Sequence, residues 1–179
     1  MKGILLAASV AAVAALAVLL IYAAGRPDAF QVRRTASIRA PAAELHPLIH
    51  DLHEFNRWNP YGRKDPDLKG SYRGPPSGPG AAYEFAGNKD VGKGSIEILE
   101  SSAPTRVTMK LDMVEPFEAH NIVEFTLAPR GDETEVTWAM RGASPFIARL
   151  IGVFIDTDRM IGRDFEAGLA NLKGIAERP

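Results

Sequence analysis

Three histidines, His46, His50 and His53, recur at spacings of four and three, which places them on one side of a helix, and such spacing can hold zinc. The rest of a zinc site is missing. There is no HExxH sequence, no carboxylate is clearly placed as a further ligand, and Pro47 stands between the first two histidines. The three therefore read as a solvated polar face, and no metal is implied. General acid or base work would need a carboxylate or histidine inside a cleft with a displaced pKa. By strand alternation Glu84, Glu97, Asp112, His120 and Glu124 fall on a wet face, while Glu115 and Asp164 lie near a cleft mouth, where they could act or merely solvate an edge. Ser101-Ser102 lacks a nucleophile elbow, and Gly92-Lys93-Gly94 enters a strand instead of opening a helix, so it is no phosphate loop. No cofactor is implied, and no catalytic residue can be assigned.

The chemistry that remains is apolar recognition, and it depends on which side chains share a face. Phe30 to Arg39 alternates in the strand period, and Ala40-Pro41-Ala42-Ala43-Glu44 then starts a short helix with Leu45, Leu48, Ile49 and Leu52 as its stripe. Residues 61–80 read as a loose connection with one edge strand at 68–73. Four more strand candidates follow. Tyr83 and Phe85 face one way; Ile96 and Ile98 oppose Lys93, Ser95 and Glu97. Val107, Met109, Leu111 and Met113 alternate with polar residues, as do Asn121, Val123, Phe125 and Leu127, and then Thr134, Val136, Trp138 and Met140. One-faced alternation of this kind marks an antiparallel sheet with one wet side. From Ser144 the period becomes helical, with Phe146, Leu150, Phe154, Ile161, Phe165, Leu169 and Leu172 as one stripe. At about 1.5 Å per residue this segment is too long for a small domain, so a bend is expected around Gly152 or Asp156.

An antiparallel sheet covered by a terminal helix leaves a cleft between the two. The side chains expected to line it are Trp58, Tyr83, Phe85, Ile96, Met109, Met113, Asn121, Phe125, Trp138, Met140 and Phe165. Trp58 and Trp138 also suit plain core packing, as do the methionines, which would give an adaptable apolar wall. Asn121 is the one amide on an otherwise apolar face, so it either hydrogen-bonds a ligand or satisfies a local backbone group.

The layout, the Ala-Pro-Ala-Ala-Glu-Leu helix start, Trp58-Asn59-Pro60, the Gly78-Pro79-Gly80 turn, the Thr134-Glu135-Val136-Thr137-Trp138 strand and the closing Asp164-Phe165-Glu166-Ala167-Gly168-Leu169-Ala170-Asn171-Leu172-Lys173 resemble the polyketide cyclase/dehydrase branch of the START-like (SRPBCC, Bet v 1-like) superfamily. The resemblance covers residues 30–177. It implies an α+β helix-grip fold, a curved antiparallel sheet wrapped around a long carboxy-terminal helix, with a deep hydrophobic cavity; members include lipid carriers, hormone receptors and cyclases. No catalytic motif of the cyclases is matched here.

From Gly3 to Gly25 no residue is charged, a run comparable with the roughly 20 residues that span a hydrocarbon core. It reads as a single-pass transmembrane signal anchor over residues 1–29, ahead of the helix-grip domain at 30–179. A cleaved signal peptide has a shorter apolar region, and a buried core helix would carry a polar stripe. The flanking charges, Lys2 before and Arg26, Arg33 and Arg34 after, are nearly balanced, and the short amino-terminal tail favours a domain outside the cytoplasm. The whole chain of 179 residues has 21 basic and 22 acidic side chains and no cysteine. Without a basic excess nucleic acid is excluded as a partner, and without cysteine so are disulfides and a thiolate nucleophile. The expected function is membrane-anchored binding of a small hydrophobic molecule, a lipid or polyketide-like compound. The alternative is a cyclase or dehydratase acting through an acid or base in the cavity.

Overall fold

The structure is a computed structural model that describes residues 2–178, without the side chains of 2 and 4–8. Period-two alternation produces seven strands, β1 (Ala29–Ile38), β2 (Lys69–Arg73), β3 (Ala82–Ala86), β4 (Lys93–Ser102), β5 (Arg106–Glu115), β6 (Ala119–Arg130) and β7 (Glu133–Ala143). They form one antiparallel sheet in the order β1-β7-β6-β5-β4-β3-β2, so the chain's first strand closes on its last. The helices are α1 (Lys2–Ala24), α2 (Ala42–His50), α3 (Leu52–Trp58), α4 (Tyr61–Lys64), α5 (Phe146–Ile151) and α6 (Thr157–Ala176). This is the expected α+β helix-grip arrangement: α2, α3 and α6 lie on the concave face, and the other face is wet. Across the wet face Lys110 pairs with Asp112 at 3.0 Å, Asp112 with His120 at 2.8 Å and Arg73 with Glu84 at 2.7 Å.

Two details of the helices differ from expectation. Residues 61–64 form a turn of helix inside the segment read as a loose connection. The expected bend in the last helix is a full break over residues 152–156, because Asp156 starts a new helix by accepting a hydrogen bond from the Arg159 N–H. In consequence the long apolar stripe does not stay on one face. Phe165, Leu169 and Leu172 are buried, whereas Phe154 is 74% exposed.

Helix α6 is held to β1 by charge and by close approach. Arg34 grips both oxygens of Asp158, the shorter contact at 2.8 Å, and its Nε donates to Glu166 at 2.7 Å. These contacts raise the Arg34 pKa and lower that of Asp158. A Cβ at Gly162 would run into the Arg34 guanidinium, and one at Gly168 would sit 2.6 Å from the Trp138 ring and 3.1 Å from Pro60. At Gly168 the packed ring and proline leave no room for a side chain, whereas at Gly162 a side chain would have to push the flexible Arg34 end out of its ion pairs.

The amino-terminal apolar run is a 23-residue helix. Among the described residues no helix is long and apolar enough to cross a membrane, so the expected transmembrane span is not part of the observed architecture; residues 4–8 of that run have side chains outside the described ones. Between Val10 and Tyr22 the large apolar side chains are exposed apart from half-buried Leu19, and Ala23 is buried. At this end the helix meets α5: the Arg149 guanidinium donates to the carbonyls of Ala24 and Arg26, both at 3.0 Å, which caps the open end of α1.

Replacing Gly168 by valine is expected to force α6 off Trp138 and to destabilise the domain by about 1–3 kcal/mol, the usual range for overpacking. Urea unfolding followed by circular dichroism measures it; an unchanged midpoint would mean that α6 does not need its close approach.

Candidate functional site

The concave face has two unlike halves. Toward α2 and α3 it is filled. Trp138 stacks on Phe165 of α6 with centroids 4.2 Å apart and planes 8° from parallel, and Trp58 meets Trp138 edge-on at 5.7 Å. Phe55 and Phe125 complete this aromatic layer, at 4.9 Å from Trp58 and 5.0 Å from Trp138 respectively. Trp58 Nε1 donates to the Leu48 carbonyl at 2.8 Å, and its own carbonyl accepts from Asn171. Val107, Met109, Ile98 and Leu127 are buried around the layer. Thus Trp58, Met109, Phe125, Trp138 and Phe165, expected to line a cleft, are packed against neighbours as core. The deep cavity that the family resemblance implies is not found in this half.

Toward the end of the sheet where β1 begins and β7 finishes, cover is lost. Ile96, Met140 and Asn121 are still buried, but Phe30, Tyr83, Phe85, Leu111 and Met113 are only half-buried. Strand register places these residues side by side: Phe85 opposite Gly94, Gly94 opposite Met113, Leu111 opposite Asn121, Asn121 opposite Gly142, and Gly142 opposite Phe30. Two glycines in this row lower the floor. A Cβ at Gly94 would reach within 3.1 Å of the Phe85 ring; one at Gly142 would collide with the Asn121 amide and lie 3.0 Å from Phe30. Lacking that atom, both positions let their neighbours lie flat, and together they form a half-exposed apolar strip, the trough, across this end of the sheet. Tyr83 reaches over Gly70 beside it and packs on Tyr72 at 4.7 Å; burial pushes its phenol pKa up, assisted by Tyr72.

Two polar atoms on the concave face have no hydrogen-bond partner among the described residues, Asn121 Oδ1 and Trp138 Nε1. Asn121 is only 6% exposed. A buried amide oxygen left unpaired costs about 1–3 kcal/mol, so the local-backbone role expected as one alternative for Asn121 is not observed at Oδ1. A partner that donates a hydrogen bond would recover that cost.

The candidate acid and base groups sit elsewhere. Glu84, Asp112 and His120 are in the ion pairs of the wet face, and Lys110 also approaches Glu97 at 3.7 Å. Asp164 binds Lys64 at 2.7 Å beside Tyr61, whose hydroxyl is pushed to a higher pKa by burial and by that carboxylate. The Lys64–Asp164 pair borders a charged cleft of about 380 Å³ with Asp156, Arg159, Met160 and Arg163; a second cleft, of about 230 Å³, lies between α3 and the turn after β2. Neither contains the trough. Glu115 is exposed at the sheet end.

The three histidines do not form one solvated face. His46 is buried, and its Nε2 lies 3.0 Å from Ser101 Oγ while His50 Nδ1 lies 2.8 Å from the same oxygen. His53 stacks on Tyr72 at 3.7 Å instead. Among the described residues no group of three or more His, Cys, Asp or Glu could hold a metal ion. Helical spacing pointed to a shared side, but Ser101 comes from the far end of β4, and only the folded sheet brings it under α2. Asp65 is also buried, and its two oxygens accept the Asp67 and Asn88 N–H groups. It fixes the loop before β2.

Residues 29–177 match the family described as polyketide cyclase/dehydrase and lipid transport. The chain belongs to that family. Among solved structures it is similar to protein CV1439 from Chromobacterium violaceum, with 15% identity over 86% of this chain and 100% of that one and a TM-score of 0.60. Ginseng major latex-like protein 151 from Panax ginseng is 12% identical over 85% of this chain and 100% of its own, with a TM-score of 0.59. Ara h 8.0201 is 10% identical over 83% and 97%, with a TM-score of 0.60. At such identities the likeness is one of fold. Comparison with curated proteins gives no significant match.

The histidine pair makes a pH prediction. Burial first and His50 second lower the His46 pKa from 6.5. Above about 6.5 both folded and unfolded chains are neutral at this position; below it the unfolded chain takes up a proton that the folded one resists, so stability falls with falling pH. His120, raised by Asp112, works in the opposite sense from the surface. His46→Gln should therefore lose less of its melting temperature than the parent between about pH 7 and pH 5, measured by differential scanning fluorimetry; equal losses would refute the assignment.

Proposed function

We propose that this protein binds a small, mainly apolar molecule in the trough, with the Asn121 amide as the orienting polar contact. The single observation that carries this reading is a nine-tenths-buried amide with an unpaired oxygen on a half-exposed apolar floor. Apolar surface leaving water contributes about 25 cal/mol per Å², which supplies affinity. One unpaired acceptor supplies selection, because a ligand that donates an O–H or N–H there removes a desolvation cost that a plain hydrocarbon leaves in place. The finer ligand class, lipid or polyketide-like, rests on the family description. A cyclase or dehydratase reading gains no comparable support, since buried His46 and Asp65 are already engaged with Ser101 and with backbone N–H groups.

We further propose that α1 tethers this activity to a membrane, with the domain on the extracytoplasmic side. Support comes from the uncharged run between Gly3 and Gly25 and from exposed Val10, Val13, Leu16, Val18 and Ile21, an apolar surface that the other described residues leave uncovered.

The test uses the full chain in detergent, with native mass spectrometry to detect co-purified species and a panel of fatty acids and fatty alcohols as probes. Asn121→Leu should raise the unfolding free energy of the empty protein by about 1 kcal/mol, by removing an unpaired polar group. The same change should weaken a fatty alcohol about tenfold or more. If the variant is less stable and binds every probe as the parent does, Asn121 is structural and the reading fails.

A further inference from the structure

Outside α1, ten large apolar side chains are exposed among the described residues, and seven of them, Val114, Phe117, Phe146, Ile147, Ile151, Phe154 and Ile155, come from two segments. Those segments are the end of β5 with its turn into β6 and the run from α5 to the break before α6. Strand register puts both at one end of the sheet. Met113 pairs with Ala119, Asn121 with Gly142, and Ala29 with Ala143, so the β5–β6 turn, the exit of β7 and the start of β1 share that end. The half-exposed apolar row of Phe30, Leu111 and Met113 lies at that end too. The opposite end is occupied by α2, held by Thr134 Oγ1 on the Ala40 carbonyl at 2.8 Å and by the two histidines on Ser101.

The same end receives α1. Only Gly25 to Asp28 separate that helix from β1, a reach of no more than about 15 Å even when extended. The joint is not loose, because Arg149 of α5 binds the carbonyls of Ala24 and Arg26, and the Ser144 N–H donates to the Asp28 backbone carbonyl at 2.6 Å. A helix ending in a bilayer interface would therefore hold α5 and the β5–β6 turn beside the same interface. Exposed apolar side chains clustered in that way signal a contact surface, and aromatic rings such as Phe117 and Phe154 suit the border between acyl chains and headgroups.

We propose that this end of the domain sits on the lipid bilayer that holds α1, with Phe117 and the apolar residues of 146–155 entering the interface and the trough opening onto it. The proposal rests on the membrane reading of α1 and deepens it: the ligand reaches the trough from the bilayer, as a membrane-resident amphiphile, instead of from bulk water. The occupant of the apolar surface is lipid.

The chain has no cysteine, so single introduced cysteines report cleanly. Val13→Cys, Phe117→Cys, Phe154→Cys and Asp132→Cys change exposed positions. Each full-length variant carries a bimane label and is reconstituted into phosphatidylcholine and phosphatidylglycerol vesicles with or without brominated acyl chains. Labels at 13, 117 and 154 should lose half or more of their emission to the brominated lipid, while the label at 132, at the far end of the sheet, keeps its emission. Quenching at 13 with labels 117 and 154 as bright as 132 would overturn the seating and leave the anchor standing. No quenching at 13 would remove the anchor itself, and the proposal with it. Equal quenching at all four positions would also overturn the proposal, because the domain would then have no preferred face toward the lipid.

Discussion

The stack of Phe165 on Trp138 decides how the concave face is divided. A helix laid on a curved sheet can cover only part of it, and the part is fixed where the two approach most closely. Gly162 and Gly168 let α6 descend over Arg34 and Trp138, and the Arg34 contacts with Asp158 and Glu166 hold it at that depth. Everything beneath the stack becomes core, closed by Trp58, Phe55 and Phe125. Everything beyond it is a floor with an incomplete roof.

This division accounts for the uneven burial of the eleven residues expected to line a cleft. Strand alternation finds the face on which a residue lies, and on that basis Met109 and Met113 are equivalent, as are Phe85 and Phe125. Which of each pair is sealed depends on where α6 descends, a long-range fact that periodicity along one strand does not contain. The same limit explains the histidines: spacing put His46, His50 and His53 on one side of the helices, but Ser101 is about fifty residues away in sequence, and its arrival under α2 makes His46 a buried group.

Strands and their inward residues were legible because each rests on local chemistry, period-two alternation and a proline at a helix start; a bend near Gly152 or Asp156 was expected from length alone, and its becoming a full break depends on the Asp156 cap seen in the structure. The stripe from Phe146 to Leu172 was misleading because apolar spacing near 3.6 says only that a helix has an apolar face. It does not say whether that face meets a sheet or remains outside. Phe165 and Phe154 fit the same periodic pattern, yet one is buried and the other is 74% exposed. Phe154 lies inside the break at 152–156, off the helix that carries Phe165.

The glycines of the trough carry a different kind of information. At Gly94 and Gly142 the depth of the floor is set by atoms that are absent, but only at Gly142 would an added methyl group meet side chains alone and leave the backbone of the sheet untouched. A Cβ at Gly142 would displace the Asn121 amide, whereas one at Gly94 would press on the Phe85 ring and, more severely, on the Asp112 carbonyl across the bulge. The two positions are therefore unequal as points of variation. The first changes polarity and volume together while leaving the backbone in place; the second is tied to the bend of the sheet. In the proposed binding site, a single small residue at position 142 would change selectivity through the Asn121 amide it displaces.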